Sequence, residues 1–258
     1  MSIITLTSDW NNSDFYVGAV KGLILRNCPD LTIVDISHSI TTFNIGQAAF
    51  ILRNAYPNFP KDTIHIILVN TESSPAKPFL LVRADSHYFI GTDNGIFSLI
   101  LGDKHEKIVQ LMVDEQKSST AIELFSSVAC KLASGTEMDT LGKVTDSYSQ
   151  RVPLRPTIEN LTLTGSVIYI DSFQNAITNI TKDLFDRIRQ NRKFEIFIQS
   201  KHYKVTNIST FYHEVPVGEL LVLFNSVGLL EVAINNGNAA RLLNLDVNSA
   251  IRVEFENN

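Results

Sequence analysis

Strand-like and helix-like stretches alternate along the first 135 residues of this chain, and beyond them the alternation stops. "IITLTSD" is a short β-rich run, and "FYVGAVKGLILRNC" places Val17, Val20, Leu23, Ile24 and Cys28 at helical spacing before Pro29 closes the helix. "LTIVDIS" reads as a second buried run, "IGQAAFILRNAYPNF" as a second helix and "TIHIILV" as a third buried run. Strand, helix, strand, helix, strand is the grammar of an α/β sheet, whose ligand sites gather where loops leave the carboxyl ends of the strands. Three polar loops fall on that rim: "SDWNNSD", "SHSITTF" and "NTESSPAK".

Farther on, "HYFIGTDNGIFSLIL" pairs a strand with a tight D-N-G turn and an apolar run, the turn being read as a join between strands. "ELFSSVACKLASG" is an amphipathic helix that stops at Gly135. "SQRVPLRPTIENLTLT" has two prolines and no helical period, which predicts an extended linker between domains. From Gly165 on, short β-runs dominate ("SVIYID", "KFEIFIQ", "HYKVTNI", "ELLVLFN", "LLEVAI", "AIRVEF"), with one helix near "TKDLFDRIRQ". Strands at this spacing suit a small barrel or a sandwich.

Composition narrows the function classes. A chain of 258 residues, 44% hydrophobic and 19% charged, can bury a large core. A formal charge of −5, with no Lys/Arg stripe interleaved with aromatics, argues against nucleic-acid binding. Cys28 and Cys130 sit in apolar surroundings without metal-ligand spacing, so reduced thiols are expected and no metal or other cofactor. The opening "MSIITLTSDW" lacks a basic n-region and no segment reaches ~18 apolar residues, so a cytoplasmic protein that does not span a membrane is expected.

Few side chains stand out as chemistry on their own. "GTDNG" reads first as a structural turn, and His38, after a buried run, as a hydrogen-bonded structural histidine. "NSVGLLEVAINNGNAA" gathers Asn225, Ser226, Gly228, Asn235, Asn236, Gly237 and Asn238, either as turns or as exposed amides suited to a heterocycle edge. "IDSFQNAITNI" offers Asp171, Phe173, Gln174 and Asn175 in what is either a polar hairpin or part of a site.

In order along the chain, "SDWNNSDFYVGAVKGLI", "IVDISHSITTFNIGQAAFILRNAYPNFP", "FIGTDNGIF", "IDSFQNAITNI" and "FNSVGLLEVAINNGNAA" closely resemble the S-adenosyl-L-methionine (SAM) hydroxide adenosyltransferases, the family that also includes the fluorinases and chlorinases. The resemblance runs from residue 3 to about residue 254. It implies an α/β fold class: an N-terminal α/β domain with a central mostly parallel sheet, residues 1–155, and a smaller C-terminal β-barrel domain, residues 156–258. It further implies a homotrimer with adenosyl sites at subunit interfaces, and attack of a nucleophile on ribose C5′ that expels methionine as a neutral thioether. By the same resemblance Asp14 accepts the ribose hydroxyls and Phe43 packs beside the ribose. Phe173 and Asn175 cover and bond the adenine, while Asp171 and Ser226 hold the methionine ammonium and carboxylate.

At the hydrolytic positions the chain departs from this pattern. Where the hydrolases have Asp, Arg and His, the matching positions carry Asn70, Lys77 and Thr120, with Ala121 and Ile122 in place of Gly and Arg and only Glu123 still acidic. Asn70 and Thr120 can position a water but not deprotonate it, and general acid/base help is worth ~10²–10⁴ in rate. Lys77 attracts an anion without the fixed fork of Arg. Three readings follow: slow cleavage of SAM to adenosine and methionine, with Glu72 or Glu123 as substitute base; a silent adenosyl-binding protein; or an adenosyltransferase with another nucleophile.

Overall fold

The structure is a computed structural model that describes residues 2–113 and 120–256. The chain divides into two compact units, Met1–Val152 and Pro153–Asn258.

In the first unit the elements run β1 (Ile3–Ser8), α1 (Tyr16–Asn27), β2 (Thr32–Ser37), α2 (Ile45–Ala55), β3 (Ile64–Leu68), β4 (Phe79–Ala84), β5 (His87–Thr92), α3 (Ile96–Leu101), β6 (Lys107–Leu111), α4 (Ala121–Ala133) and β7 (Gly142–Thr145). The seven strands form one sheet in the order β2-β1-β3-β5-β4-β6-β7. β2, β1, β3 and β5 pair in parallel. β4 and β7 run against their neighbours, which leaves β6 pointing with the parallel set, so five of the seven strands share one direction. The sheet is therefore mostly parallel, and helices cover both faces as such a sheet requires. One face packs Ile4, Leu6, Ile66, Leu68 and Leu81 against α1 and α4; the other packs Ile67, Val82 and Phe89 against α2 and α3. Central β3 is buried along its whole length, as a run closed in on both faces must be.

Three local expectations need correction. The second helix ends at Ala55, and Pro57 sits in a separate 3-10 turn, Tyr56–Asn58, because proline cannot supply the next intrahelical N–H. The apolar run "IFSLIL" is α3, not a strand: Gly95 turns the chain at φ +95, and Asn94 Oδ1 accepts from Ile96 N at 3.2 Å. "GTDNG" therefore joins a strand to a helix. A Cβ on Gly95 would lie 2.2 Å from Cγ of Arg151, which packs across the turn. The supposed linker is in part a paired strand, since β8 (Thr157–Glu159) pairs with the next strand through a turn at Asn160, φ 54.

The second unit continues with β9 (Thr162–Ile170), β10 (Ala176–Thr181), α5 (Lys182–Arg189), β11 (Phe194–Ile198), β12 (Ser200–Val205), β13 (Leu220–Phe224), β14 (Leu229–Ile234), α6 (Ala239–Leu242) and β15 (Ala250–Phe255). Its all-antiparallel sheet runs β12-β11-β15-β9-β10-β14-β13, with β8 beside β9. The two end strands approach each other and Ser209, just past β12, donates its N–H to Val222 O at 2.8 Å, so the sheet is nearly closed as a barrel rather than split into a sandwich. Phe185 of α5 plugs one end, edge-on to Phe194 and Phe224.

Candidate functional site

At the carboxyl end of β1 the chain turns through Ser8 and Asp9, and Asp9 ties together the loops that follow β2 and β3. Its Oδ2 accepts the backbone N–H of Phe43 at 2.8 Å and that of Asn70 at 3.3 Å. Asn11 N donates to His38 O at 2.9 Å, and Asn94 Nδ2 donates to Asn70 O at 3.1 Å, which stitches in the loop after β5. Asn11, Phe43 and Asn70 all hold left-handed backbone, φ 63, 64 and 49. Non-glycine residues adopt this conformation at a cost and gather at ligand sites, so three of them on one bonded rim mark it as a built feature. Phe43 is 69% exposed, and Phe15 with Tyr16 and Trp10 forms a second aromatic group on the same rim. Asp14 lies exposed in the β1–α1 loop.

Behind this rim His38 is buried. Its Nδ1 meets Ser8 Oγ at 2.7 Å and its Nε2 lies 3.1 Å from Asp35 Oδ1, off the ring N–H axis, while Asp35 Oδ2 pairs with Lys21 at 2.6 Å. Burial raises the Asp35 carboxyl, and the bond from Lys21 and the proximity of His38 more than offset this and hold it below its usual value. The bonding gives His38 a structural task, anchoring the end of β1.

The three positions matched to the hydrolytic residues sit apart in role. Asn70 closes β3 with its backbone held from both sides. Lys77 ends a tight exposed turn, exchanging backbone bonds with Ser74 at 2.9 and 3.1 Å, and Glu72 is exposed in the same loop. Thr120 is the N-cap of α4: Thr120 N donates to Glu123 Oε2 at 2.9 Å and Glu123 N donates back to Thr120 Oγ1 at 3.4 Å. Sequence reasoning offered Glu123 as a spare base; the structure spends its carboxylate on a capping box. Ser118 and Ser119 of the same stretch lie outside the described residues.

The second unit contains a cavity of about 570 Å³. Phe173 and Asn175 enter it from the β9–β10 turn, Tyr212 from a 3-10 turn after β12, and Asn235, Asn236, Gly237 and Asn238 from the segment after β14. Asp171 shapes the first wall: Oδ1 accepts from Phe173 N and Asn175 N at 3.0 and 2.8 Å, and Oδ2 accepts from Asn175 Nδ2 at 3.2 Å. Phe173 is thereby held 74% exposed while Asn175 is buried at 6%. Asn236 takes φ 53, and a Cβ on Gly237 would lie 2.5 Å from the Ile234 side chain, so the chain doubles back there only because residue 237 has none. An exposed aromatic ring and a row of amides lining one cavity can stack and hydrogen-bond a flat heterocycle. Ser226 stands exposed on the neighbouring Asn225–Gly228 turn and does not line the cavity.

The structure thus brings Asp171, Phe173 and Asn175 together at one cavity and places Phe43 and Asn70 on one bonded rim. Asp9, Tyr212 and Glu231 were not singled out from the sequence. Asp9 had a signal, a carboxylate one residue beyond the first strand, whereas nothing in "ISTFYHE" marks Tyr212, whose position depends on barrel closure.

Residues 4–142 match the family model "SAM hydroxide adenosyltransferase N-terminal domain", and residues 165–252 match the corresponding C-terminal domain. The chain belongs to the SAM hydroxide adenosyltransferase family. It is 30% identical over 280 residues to the (R)-S-adenosyl-L-methionine hydrolase of Methanocaldococcus jannaschii, covering 99% of this chain and 97% of that one. It is 23% identical over 289 residues to the fluorinase of an Actinoplanes species, covering 97% of each. Among solved structures, an uncharacterized conserved protein from Thermotoga maritima superposes with a TM-score of 0.86 at 27% identity, covering 97% of this chain and 99% of that one. The family thus spans relatives named for attack by water and for attack by fluoride, and both align along nearly the whole of this chain.

Proposed function

We propose that this chain binds the adenosyl group of S-adenosyl-L-methionine, or adenosine itself, with the base held in the second-unit cavity. The observation that carries the reading is the cavity lining: an exposed Phe173 ring together with Asn175 and the amides of Asn235, Asn236 and Asn238. Chemistry at such a ligand is displacement at C5′, in which the nucleophile forms the new bond and the C5′–S pair leaves on sulfur as neutral methionine thioether. Asn70, Lys77 and Thr120 supply no base for water, and Glu123 is held in a helix cap. Hydrolysis by this chain is therefore slow, and adenosyl binding is its principal capacity. A homotrimer is the assembly expected.

Calorimetry with adenosine and with SAM tests the binding, and chromatography of the same mixtures follows release of adenosine and methionine. Binding of neither ligand ends this reading.

A further inference from the structure

Glu231, on β14, is 3% exposed, yet among the described residues it forms no ion pair with a lysine, arginine or histidine. Both its oxygens accept. Oε1 takes the hydroxyl of Tyr212 at 2.6 Å, and Oε2 takes Nδ2 of Asn225 at 3.2 Å. Asn225 can only donate there, because its Oδ1 already accepts from Val227 N and Leu229 N at 3.2 and 3.1 Å. Two such contacts, one on each oxygen, are the acceptor pattern of a carboxylate. Its partner Tyr212 lines the cavity, so the charge sits one side chain behind the wall. The Tyr212 hydroxyl keeps its proton well above the usual tyrosine range, through burial first, then the bond and charge of Glu231, and then the charge of Asp171. Both carboxylates therefore act on the same wall, and no described cation pairs with either.

We propose that Glu231 is a specificity-determining residue: a fixed buried anion behind Tyr212 that favours adenosyl ligands bearing a positive charge beyond C5′ over neutral ligands of the same shape. This rests on the adenosyl-binding reading and names its substrate class as cationic. An uncompensated buried charge acts across distance because little water screens it; at an effective dielectric of ~20 a unit charge about 12 Å away changes binding roughly tenfold.

The test compares two ligands that cannot be cleaved at sulfonium, sinefungin with its amine cation and S-adenosyl-L-homocysteine with its neutral thioether, by calorimetry on the full chain. Wild type is expected to prefer sinefungin, and Glu231→Gln, which removes the charge and keeps the shape, is expected to lose about tenfold of that preference. An unchanged preference in Glu231→Gln overturns the proposal while adenosine binding still upholds the cavity. Failure of wild type to bind adenosine or either analogue overturns the cavity reading and this one with it. Should Glu231→Gln not fold, Glu231→Met decides: it also removes the charge at similar length, so a loss of about tenfold of the preference supports the proposal and an unchanged preference overturns it.

Discussion

Two buried histidines give the first unit a specific sensitivity to acid. His65, fully buried in β3, bonds Thr5 Oγ1 through Nδ1 at 2.7 Å and faces His87 across 3.2 Å, inside a cage of Tyr56, Phe59 and Phe89 rings. Burial, and then the neighbouring His87, lower its pKa to about 3. The folded state thus refuses a proton that the unfolded chain takes up as pH falls below 6.5, so stability is whole above 6.5 and drains away between 6.5 and about 3. From pH 7 to pH 5 His65 alone should remove about 2 kcal/mol, visible as a lower urea midpoint. His65→Gln should flatten that slope; an equally steep slope in the variant rules this histidine out as the cause. Asp14 makes the opposite kind of prediction. It is an exposed loop carboxylate, so Asp14→Ala should leave the unfolding free energy within ~0.5 kcal/mol of wild type. If it accepts ribose hydroxyls, each charge-assisted bond is worth about 1.5–3 kcal/mol and adenosine affinity should fall at least tenfold. Equal affinity by calorimetry would remove Asp14 from the site.

At the scale of elements, α4 shows how a functional position and a helix end compete. Thr120 and Glu123 close a capping box, worth about 1 kcal/mol at the cap. Thr120→Ala should lower stability by that amount. Restoring Asn70→Asp, Lys77→Arg and Thr120→His together should raise adenosine release where single changes do not, since groups that act as a unit are non-additive, and it should lower the melting temperature through the lost cap. A triple variant as slow as wild type would show that these positions do not form the water-activating unit. Elements also explain what the sequence showed and what it hid. The α/β alternation was legible because β1, α1, β2 and α2 carry long, clean periods. α3 was not, because six apolar residues buried all round look alike as strand or helix. β6 and β7 were passed over because "KIVQL" and "GKVT" are short and sit at the sheet's antiparallel end. In the site, Phe173 and Asn175 were legible as a loop in the family's order. The Tyr212–Glu231–Asn225 chain was not, since it exists only after β12 and β13 close the barrel.

At the scale of the whole molecule, large rings stand in water on both units: Phe15 and Phe43 on the first, Phe173 and Phe211 on the second. Exposed aromatic groups of this kind mark ligand or protein contacts. The homotrimer proposed for this chain would cover them, and on that proposal light scattering should give three times the chain mass of 28.8 kDa at micromolar concentration. A stable monomer would count against it. The most direct measurement joins binding and turnover in one sample: wild-type protein is mixed with S-adenosyl-L-methionine, heat is recorded, and adenosine and methionine are then followed by chromatography. Heat of binding with adenosine release far below ~1 per second, the lower range of ordinary enzymes, is the predicted result. Release near that rate would contradict it, because an effective base would then be at work where Asn70, Lys77 and Thr120 provide none.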